Sequence, residues 1–384
     1  SRESVRIALT YAALMGLDVF AADIQNAYLQ APSSEKHYVI CGPEFGLENI
    51  GKVALIKRAL YGGKVAGRDF WHHLRSCMEH LGFQSSRADP DVWYREAVKD
   101  DGTAHYEYVL LYVDDALVVS NRGEDILRKE IGKYFKLKEE SIGPPSQYLG
   151  GKLRLVEMEN GVSCWAFSST QYVRAAVDNV EAYLAKRNAK LPAKAPTPLS
   201  HNYRPEIDVS PELGEEEASY YHSLIGVLRW IVELGRADIC CEVSMMSSHL
   251  ALPREGHLEE LFRIFAYLKK HANAEMVFDP SEVAFDRSQF PRQDWSYSIY
   301  ARDGSSLKEE LPPNMPKPRG CGFTLRVYVD SDHAGDVVTR RSRSGFIVYL
   351  NNAPIYWSSK KQTSCETSTF GSECVAMKQA AEDV

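Results

Sequence analysis

The sequence predicts an α+β protein: an antiparallel, hairpin-rich sheet first, a helical middle, and a second, smaller sheet near the C-terminal end. Three observations predict this. Apolar, β-rich runs at 91–98 and 106–120 are separated by the turn Asp100-Asp101-Gly102. Two segments, at about 219–234 and 256–271, carry apolar residues at helical spacing, with Leu258, Leu261, Phe262, Phe265 and Leu268 on one stripe. A strand-like run at 324–331 is followed by the alternation of 345–358 (Ile347, Tyr349; Ile355, Trp357), as in a hairpin, and then by a helix from about 369.

The other elements follow in order. Over residues 2–16, Val5, Leu9, Ala12 and Met15 recur near one helical face. A short strand, Asp18 to Asp23, comes next and leads into a turn at Gln25-Asn26. Residues 33–56 read as strands and loops broken by Gly42-Pro43 and Gly46. From Gly67 to Leu81 the spacing of Phe70, Leu74, Cys77 and Leu81 predicts a helix. The pattern is helical again from Ile126 to Phe135, then breaks at Gly143-Pro144-Pro145 before Gln147-Tyr148-Leu149-Gly150-Gly151. Residues 170–188 predict a helix and 191–218 a polar, proline-rich linker. Pro280, Pro291, Pro312, Pro313, Pro316 and Pro318 mark a second linker or insertion.

Composition is that of a globular protein, with 44% hydrophobic and 25% charged residues in 384. No apolar run approaches the ~18 residues that span a bilayer, and Ser1-Arg2-Glu3-Ser4 is neither an initiator nor a signal peptide, so a fragment of a longer intracellular protein is expected. The net charge of −7 counts mildly against a polynucleotide partner, although such a partner senses a local groove rather than the sum. Eight cysteines without C-x-x-C spacing suit a reducing compartment and argue against structural zinc.

The chemistry concentrates on carboxylates. In Tyr108 to Val119 two apolar runs flank Asp114-Asp115 with no glycine between them. Two acids at the tip of an apolar hairpin are costly unless their charge is compensated, and a divalent cation does that. The polar, glycine-containing turn at 100–102 shows what a plain acidic turn looks like instead. Asp23 also ends an apolar strand, and meets the pair only if the two strands lie side by side in one sheet. Such a trio, with no His or Cys, suits two Mg²⁺ ions, or Mn²⁺ in their place, and phosphoryl transfer to a 3′-hydroxyl.

Several segments resemble the Pol polyprotein of copia-type LTR retrotransposons. Asp23-Ile-Gln-Asn-Ala27-Tyr28-Leu29 resembles that family's D-x-x-x-A-[FY]-L motif, and Tyr112-Val113-Asp114-Asp115 its YVDD box. The segment Ala59 to Trp71 is similar to A-L-Y-G-L-K-Q-A-x-R-x-W, and Gln147-Tyr148-Leu149-Gly150 sits where the family has its F-L-G primer-contact strand. Tyr221 to Gly226, Arg236 to Ile239 and Ala266 to Lys269 follow in the family's order. Near the C-terminal end, Val327 to Asp336, Arg340 to Phe346, Trp357 to Gln362 and Phe370 to Ala376 resemble the start of its ribonuclease H domain.

The resemblance implies a right-hand polymerase palm and thumb with a helical connection, followed by a partial ribonuclease H-like α/β domain. The implied boundaries are 1–160 for partial fingers and palm, 161–200 thumb, 201–280 connection, 281–321 linker or insertion, and 322–384 ribonuclease H-like. It implies RNA-directed DNA polymerase (reverse transcriptase) activity, with Asp23, Asp114 and Asp115 as catalytic metal ligands for two Mg²⁺. It makes Tyr28 the aromatic gate under the incoming sugar, and Lys64 and Arg68 contacts to template or triphosphate. Asp330 and Glu373 would be catalytic metal ligands of the nuclease. Implied partners are an RNA template, a DNA primer, the RNA–DNA hybrid, deoxynucleoside triphosphates and other parts of Pol, with no membrane. Gly63 and Val65 depart from the family's Leu and Gln, which weakens nucleotide positioning. The family's basic fingers segment would precede Ser1 and its remaining nuclease aspartates would follow Val384. Weak or undetectable polymerase activity and an inactive, truncated nuclease are therefore expected, the alternative being a non-catalytic remnant that at most binds nucleic acid.

Overall fold

The computed structural model describes residues 1–283, Ser288 and residues 312–384. Helix α1 (Arg2–Met15) begins where the Ser1 hydroxyl accepts the Ser4 N–H and ends on Gly16 at φ 56°, a left-handed cap that glycine adopts without a Cβ clash. Strand β1 (Asp18–Asp23) and the one-turn helix α2 (Ala27–Gln30) lead to a separate two-stranded ribbon of β2 (Pro32–Ile40) and β3 (Val53–Arg58). Helix α3 (Ala66–His80) precedes β4 (Gln84–Ser85), β5 (Val92–Val98), β6 (Ala104–Tyr112) and β7 (Asp115–Ser120). With β1 these form an antiparallel five-stranded sheet in the order β1-β7-β6-β5-β4.

The sheet is buried on both faces. Leu117 and Val119 of β7 join Val5, Leu9 and Ala12 of α1 in one core, whereas Ala116 and Val118 join Phe70, Leu74 and Met78 of α3 in another. This is the period-two alternation of a strand with an apolar partner on each side, which explains why 116–119 reads as an unbroken apolar run. Burying one such side chain contributes roughly 1.5–3 kcal/mol.

After β7 the chain passes through α4 (Gly123–Asp125), a π-helical turn (Ile126–Glu130) and a 3₁₀ turn (Ile131–Lys133), so the helical periodicity before Phe135 is not that of one regular α-helix. Residues 137–143 then run back along the outer edge of β1, with antiparallel bridges Ile24–Leu137 and Ala21–Gly143. A second antiparallel sheet, in the order β11-β10-β9-β8, is built from β8 (Gln147–Tyr148), β9 (Gly151–Glu157), β10 (Ser163–Ser168) and the later β11 (Glu275–Val277). Between β10 and β11 come α5 (Thr170–Ala185), α6 (Glu215–Glu233), α7 (Cys240–Met246) and α8 (Glu255–Lys270). Val177, Leu228, Leu261 and Phe265 from α5, α6 and α8 share the α1 core, so the helical middle packs on one face of the first sheet.

The predicted linker at 281–321 lies mostly outside the described residues. A third antiparallel sheet, β12 (Leu325–Asp332), β13 (Arg343–Leu350) and β14 (Ala353–Lys361), carries α9 (Thr369–Asp383) on one face through Phe346, Val348, Ile355 and Ala380. Gln362 pins that helix, donating from Nε2 to Ser344 Oγ at 3.1 Å and to the Ser372 carbonyl at 2.9 Å. Ala353 and Trp357 instead join the main core. Arg6 crosses the seam: it donates to the Ile355 carbonyl at 2.8 Å and the Glu233 carbonyl at 2.5 Å, and its guanidinium lies 4.1 Å from the Trp357 ring centre. Among the described residues no helix is long and apolar enough to cross a membrane.

Candidate active site

Strands β1 and β7 pair so that Ala22 faces Ala116 and Asp23 faces Asp115. Opposite residues of an antiparallel pair hold their Cβ atoms about 4.5–5.5 Å apart on one face of the sheet, and like charges there are destabilising. The hairpin joining β6 to β7 ends on the pair Tyr112–Asp115, leaving Val113 and Asp114 as its two-residue loop. The Asp114 carbonyl accepts the Ile24 N–H at 2.8 Å, which ties the hairpin tip to the end of β1. Three acids from two distant segments thus meet at one corner of the sheet.

Their electrostatics are unbalanced. Burial, then Asp114, then Asp23 push the Asp115 carboxyl above its ordinary pKa, and Lys138 opposes them. The Lys138 ammonium meets Asp23 Oδ2 at 2.5 Å, which raises the lysine's own pKa. Asp23 Oδ1 is buried and has no hydrogen-bond partner. An orphaned carboxylate oxygen is costly unless a ligand completes it. Lys138 is set in place by the backbone: its N–H donates to the Asp23 carbonyl at 2.9 Å, and the Asp23 N–H donates to Ser141 Oγ, also at 2.9 Å.

The tip of the hairpin is strained. Val113 has φ 56°, a left-handed conformation that a β-branched residue adopts at a cost of about 1–3 kcal/mol. A positive φ at the first position of a two-residue hairpin loop normally selects glycine. Such strain concentrates at functional sites.

A cleft of about 1100 Å³ opens beside the acids, lined by Asp23, Tyr112 and Asp115 on one side and by Ser141, Gln147 and Tyr148 on the other. The Tyr148 phenol is pushed up in pKa by burial and, further, by Asp115 and Tyr112. The β8–β9 hairpin turns through Leu149 (φ 46°) and Gly150 (φ 85°), both positive as the tightest hairpin loops require. At Gly151 an added Cβ would lie 1.9 Å from the Phe167 ring, so only glycine lets β9 close against β10.

The donor set of Asp23, Asp114 and Asp115 is all oxygen, the type that Mg²⁺ takes, and the orphaned Asp23 Oδ1 is a fitting donor to such a cation. The trio is not pre-assembled, however: among the described residues no three His, Cys, Asp or Glu side chains already converge as a metal cluster.

The other sequence-predicted residues lie elsewhere. Tyr28 stacks on Tyr61 with ring centres 4.7 Å apart and does not line the cleft. Lys64 is exposed, and Arg68 donates to Ser34 Oγ at 3.0 Å. Asp330, on β12, lines a cavity of about 420 Å³ together with Cys240, Cys241 and Arg343, and Glu373, on α9, is not among that cavity's walls. Sequence reasoning missed Lys138 and Ser141. Their one signal is the polar–apolar–polar alternation of Lys136-Leu137-Lys138, which fits a short strand.

Residues 1–191 match the family described as reverse transcriptase (RNA-dependent DNA polymerase). The chain is 25% identical to the retrovirus-related Pol polyprotein from transposon TNT 1-94 of Nicotiana tabacum, over 99% of this chain and 25% of that relative. It is also 25% identical to the corresponding polyprotein from transposon RE1 of Arabidopsis thaliana, over 96% of this chain and 21% of the relative. A protein of Saccharomyces cerevisiae assigned to transposon Ty5-1 is 27% identical, over 88% of this chain and 92% of its own length. The chain thus spans a quarter or less of the two Pol polyproteins.

Proposed function

We propose, on the premise that this chain belongs to the copia-type retrotransposon Pol family, with reverse transcriptase sequence over residues 1–191, that its acid site performs RNA-directed DNA synthesis by two-metal nucleotidyl transfer. The observation that carries this reading is the Asp23–Asp115 pair, brought face to face at the end of an apolar sheet with one oxygen left uncompensated.

Asp23, Asp114 and Asp115 would hold the divalent ions. When bound, Mg²⁺ supplies the positive charge that activates the primer 3′-hydroxyl and neutralises the triphosphate. The chain's own contribution is placement. Asp23 and Asp115 are fixed by the β1–β7 ladder, whereas Asp114 sits on the two-residue loop beside the strained Val113. The cleft between this corner and the Gln147–Gly150 hairpin gives a primer terminus room beside the acids. In this reading residues 1–160 are palm with partial fingers, 161–200 thumb and 201–280 connection, and 322–384 form a ribonuclease H-like unit with Asp330 and Glu373 as its acids. The partners are an RNA template, a DNA primer and deoxynucleoside triphosphates.

Primer extension on poly(rA)–oligo(dT) with Mg²⁺ tests the reading. Wild type is expected to extend weakly, and Asp114→Asn to lose that extension while retaining hybrid binding. If wild type shows no Mg²⁺-dependent extension at any protein concentration, the catalytic reading fails and a non-catalytic, nucleic-acid-binding remnant replaces it.

A further inference from the structure

We infer that Lys138 is the resident counter-cation of the Asp23–Asp115 pair, which holds the carboxylates together without metal and withdraws when a divalent ion binds. The inference rests on the proposed metal-binding role of those acids.

The two carboxylates face each other across a ladder position at which like charges repel. The fold must nevertheless form before metal arrives, so a positive group is needed there. Lys138 supplies it: its ammonium sits on Asp23 Oδ2 at 2.5 Å, and its backbone N–H is bonded to the Asp23 carbonyl at 2.9 Å. Its position is therefore built into the strand-like segment 137–143 rather than reached by a chance surface contact. Ser141, three residues on, accepts the Asp23 N–H with its hydroxyl and fixes the same segment from the other end.

The lysine engages only one of the two carboxylate oxygens, since Oδ1 stays buried without a hydrogen-bond partner. A divalent ion engaging Asp23 and Asp115 would stand close to the ammonium, and the two cations would repel. The Lys138 side chain is 41% exposed, so its head can swing toward solvent on its four-carbon stem while the backbone bonds stay in place. Lys138 therefore lowers the affinity of the empty site for metal and stabilises the metal-free protein.

The test is Mn²⁺ binding to the full chain, followed through the paramagnetic resonance signal of the free ion, with thermal midpoints measured in parallel. Lys138→Met is expected to bind Mn²⁺ about ten-fold more tightly than wild type, roughly 1.4 kcal/mol. Its midpoint should be lower than wild type without metal, with the gap closing at saturating Mn²⁺. Lys138→Arg keeps the charge and should bind within about two-fold of wild type. If wild type binds Mn²⁺ and Lys138→Met binds equally or more weakly, the counter-cation role is overturned while the metal reading stands. Tighter binding by Lys138→Arg, to the extent expected of Lys138→Met, overturns it as well, because charge is then not what competes. If no variant binds, both readings fall.

Discussion

Arg6→Leu is expected to cost about 3 kcal/mol and to loosen the third sheet from the rest of the molecule. The guanidinium donates to two carbonyls from distant segments, Ile355 and Glu233, and stacks on Trp357. A charged donor contributes about 1.5–3 kcal/mol per hydrogen bond, so the two together contribute roughly 3–6. Stacking over an aromatic ring adds about 0.5–2 kcal/mol. Against this stands desolvation: burial pulls the Arg6 pKa down from the ordinary arginine range to about 10, with Glu3 and Glu233 opposing. That depression signals a cost of about 3 kcal/mol, which the substitution returns. Leucine keeps much of the apolar bulk but leaves both carbonyls unpaired. The assay is urea unfolding followed by far-UV circular dichroism, with trypsin susceptibility of residues 325–361 as the local readout. A loss below about 1 kcal/mol, with unchanged proteolysis of that sheet, would refute the assignment of Arg6 as the tie.

Asp115→Asn should stabilise the metal-free protein at pH 7. The Asp115 pKa is raised on folding, so the native state holds the extra proton in the window above the ordinary carboxylate value, and stability falls as pH rises through it. The variant's advantage in urea midpoint should therefore shrink below pH 4; an equal advantage at both pH values would contradict the repulsion argument. Val113→Gly should gain about 1 kcal/mol, since relief of roughly 1–3 kcal/mol of strain exceeds the 0.5–1 kcal/mol that glycine loses in chain entropy. A destabilised Val113→Gly in equilibrium unfolding would mean that no strain is stored at the hairpin tip. Gly151→Ala should lose about 2 kcal/mol by driving a methyl into the Phe167 ring. Phe167→Leu in the same chain should recover part of that loss, and failure to do so would place the clash elsewhere.

Much of the fold was legible because periodicity and burial coincide. The stripe at Leu258, Leu261, Phe265 and Leu268 is core in α8, and the alternation at 345–358 is the β13–β14 hairpin. The condition that Asp23 and the Asp114-Asp115 pair share a sheet is met in the β1–β7 ladder, because both segments are apolar strands that end in acids. What stayed hidden depends on tertiary pairing. The β10 strand Ser163–Ser168 is short, and its partner β11 lies more than a hundred residues away, so no local pattern announced their pairing. The helical spacing before Phe135 gave no sign of π and 3₁₀ geometry, since all three place apolar residues three to five apart. Lys138 was missed for the same reason: a lysine among Lys136, Glu139 and Glu140 looks like solvated surface until the segment is laid against β1.

The contrast between β7 and its neighbours sets a hierarchy of opening. Residues Ala116 to Val119 are completely shielded, with helices on both sides of the sheet, so their amides should exchange with deuterium only when the whole first half unfolds. The segment that carries Lys138 touches the sheet through a few edge bonds and should exchange through small local excursions. The acids of the strands are thus mounted on a unit expected to open slowly, and the cation beside them on a segment expected to open more readily. That separation of timescales lets the charge environment of the site be exchanged many times without the scaffold that aims the acids ever coming apart.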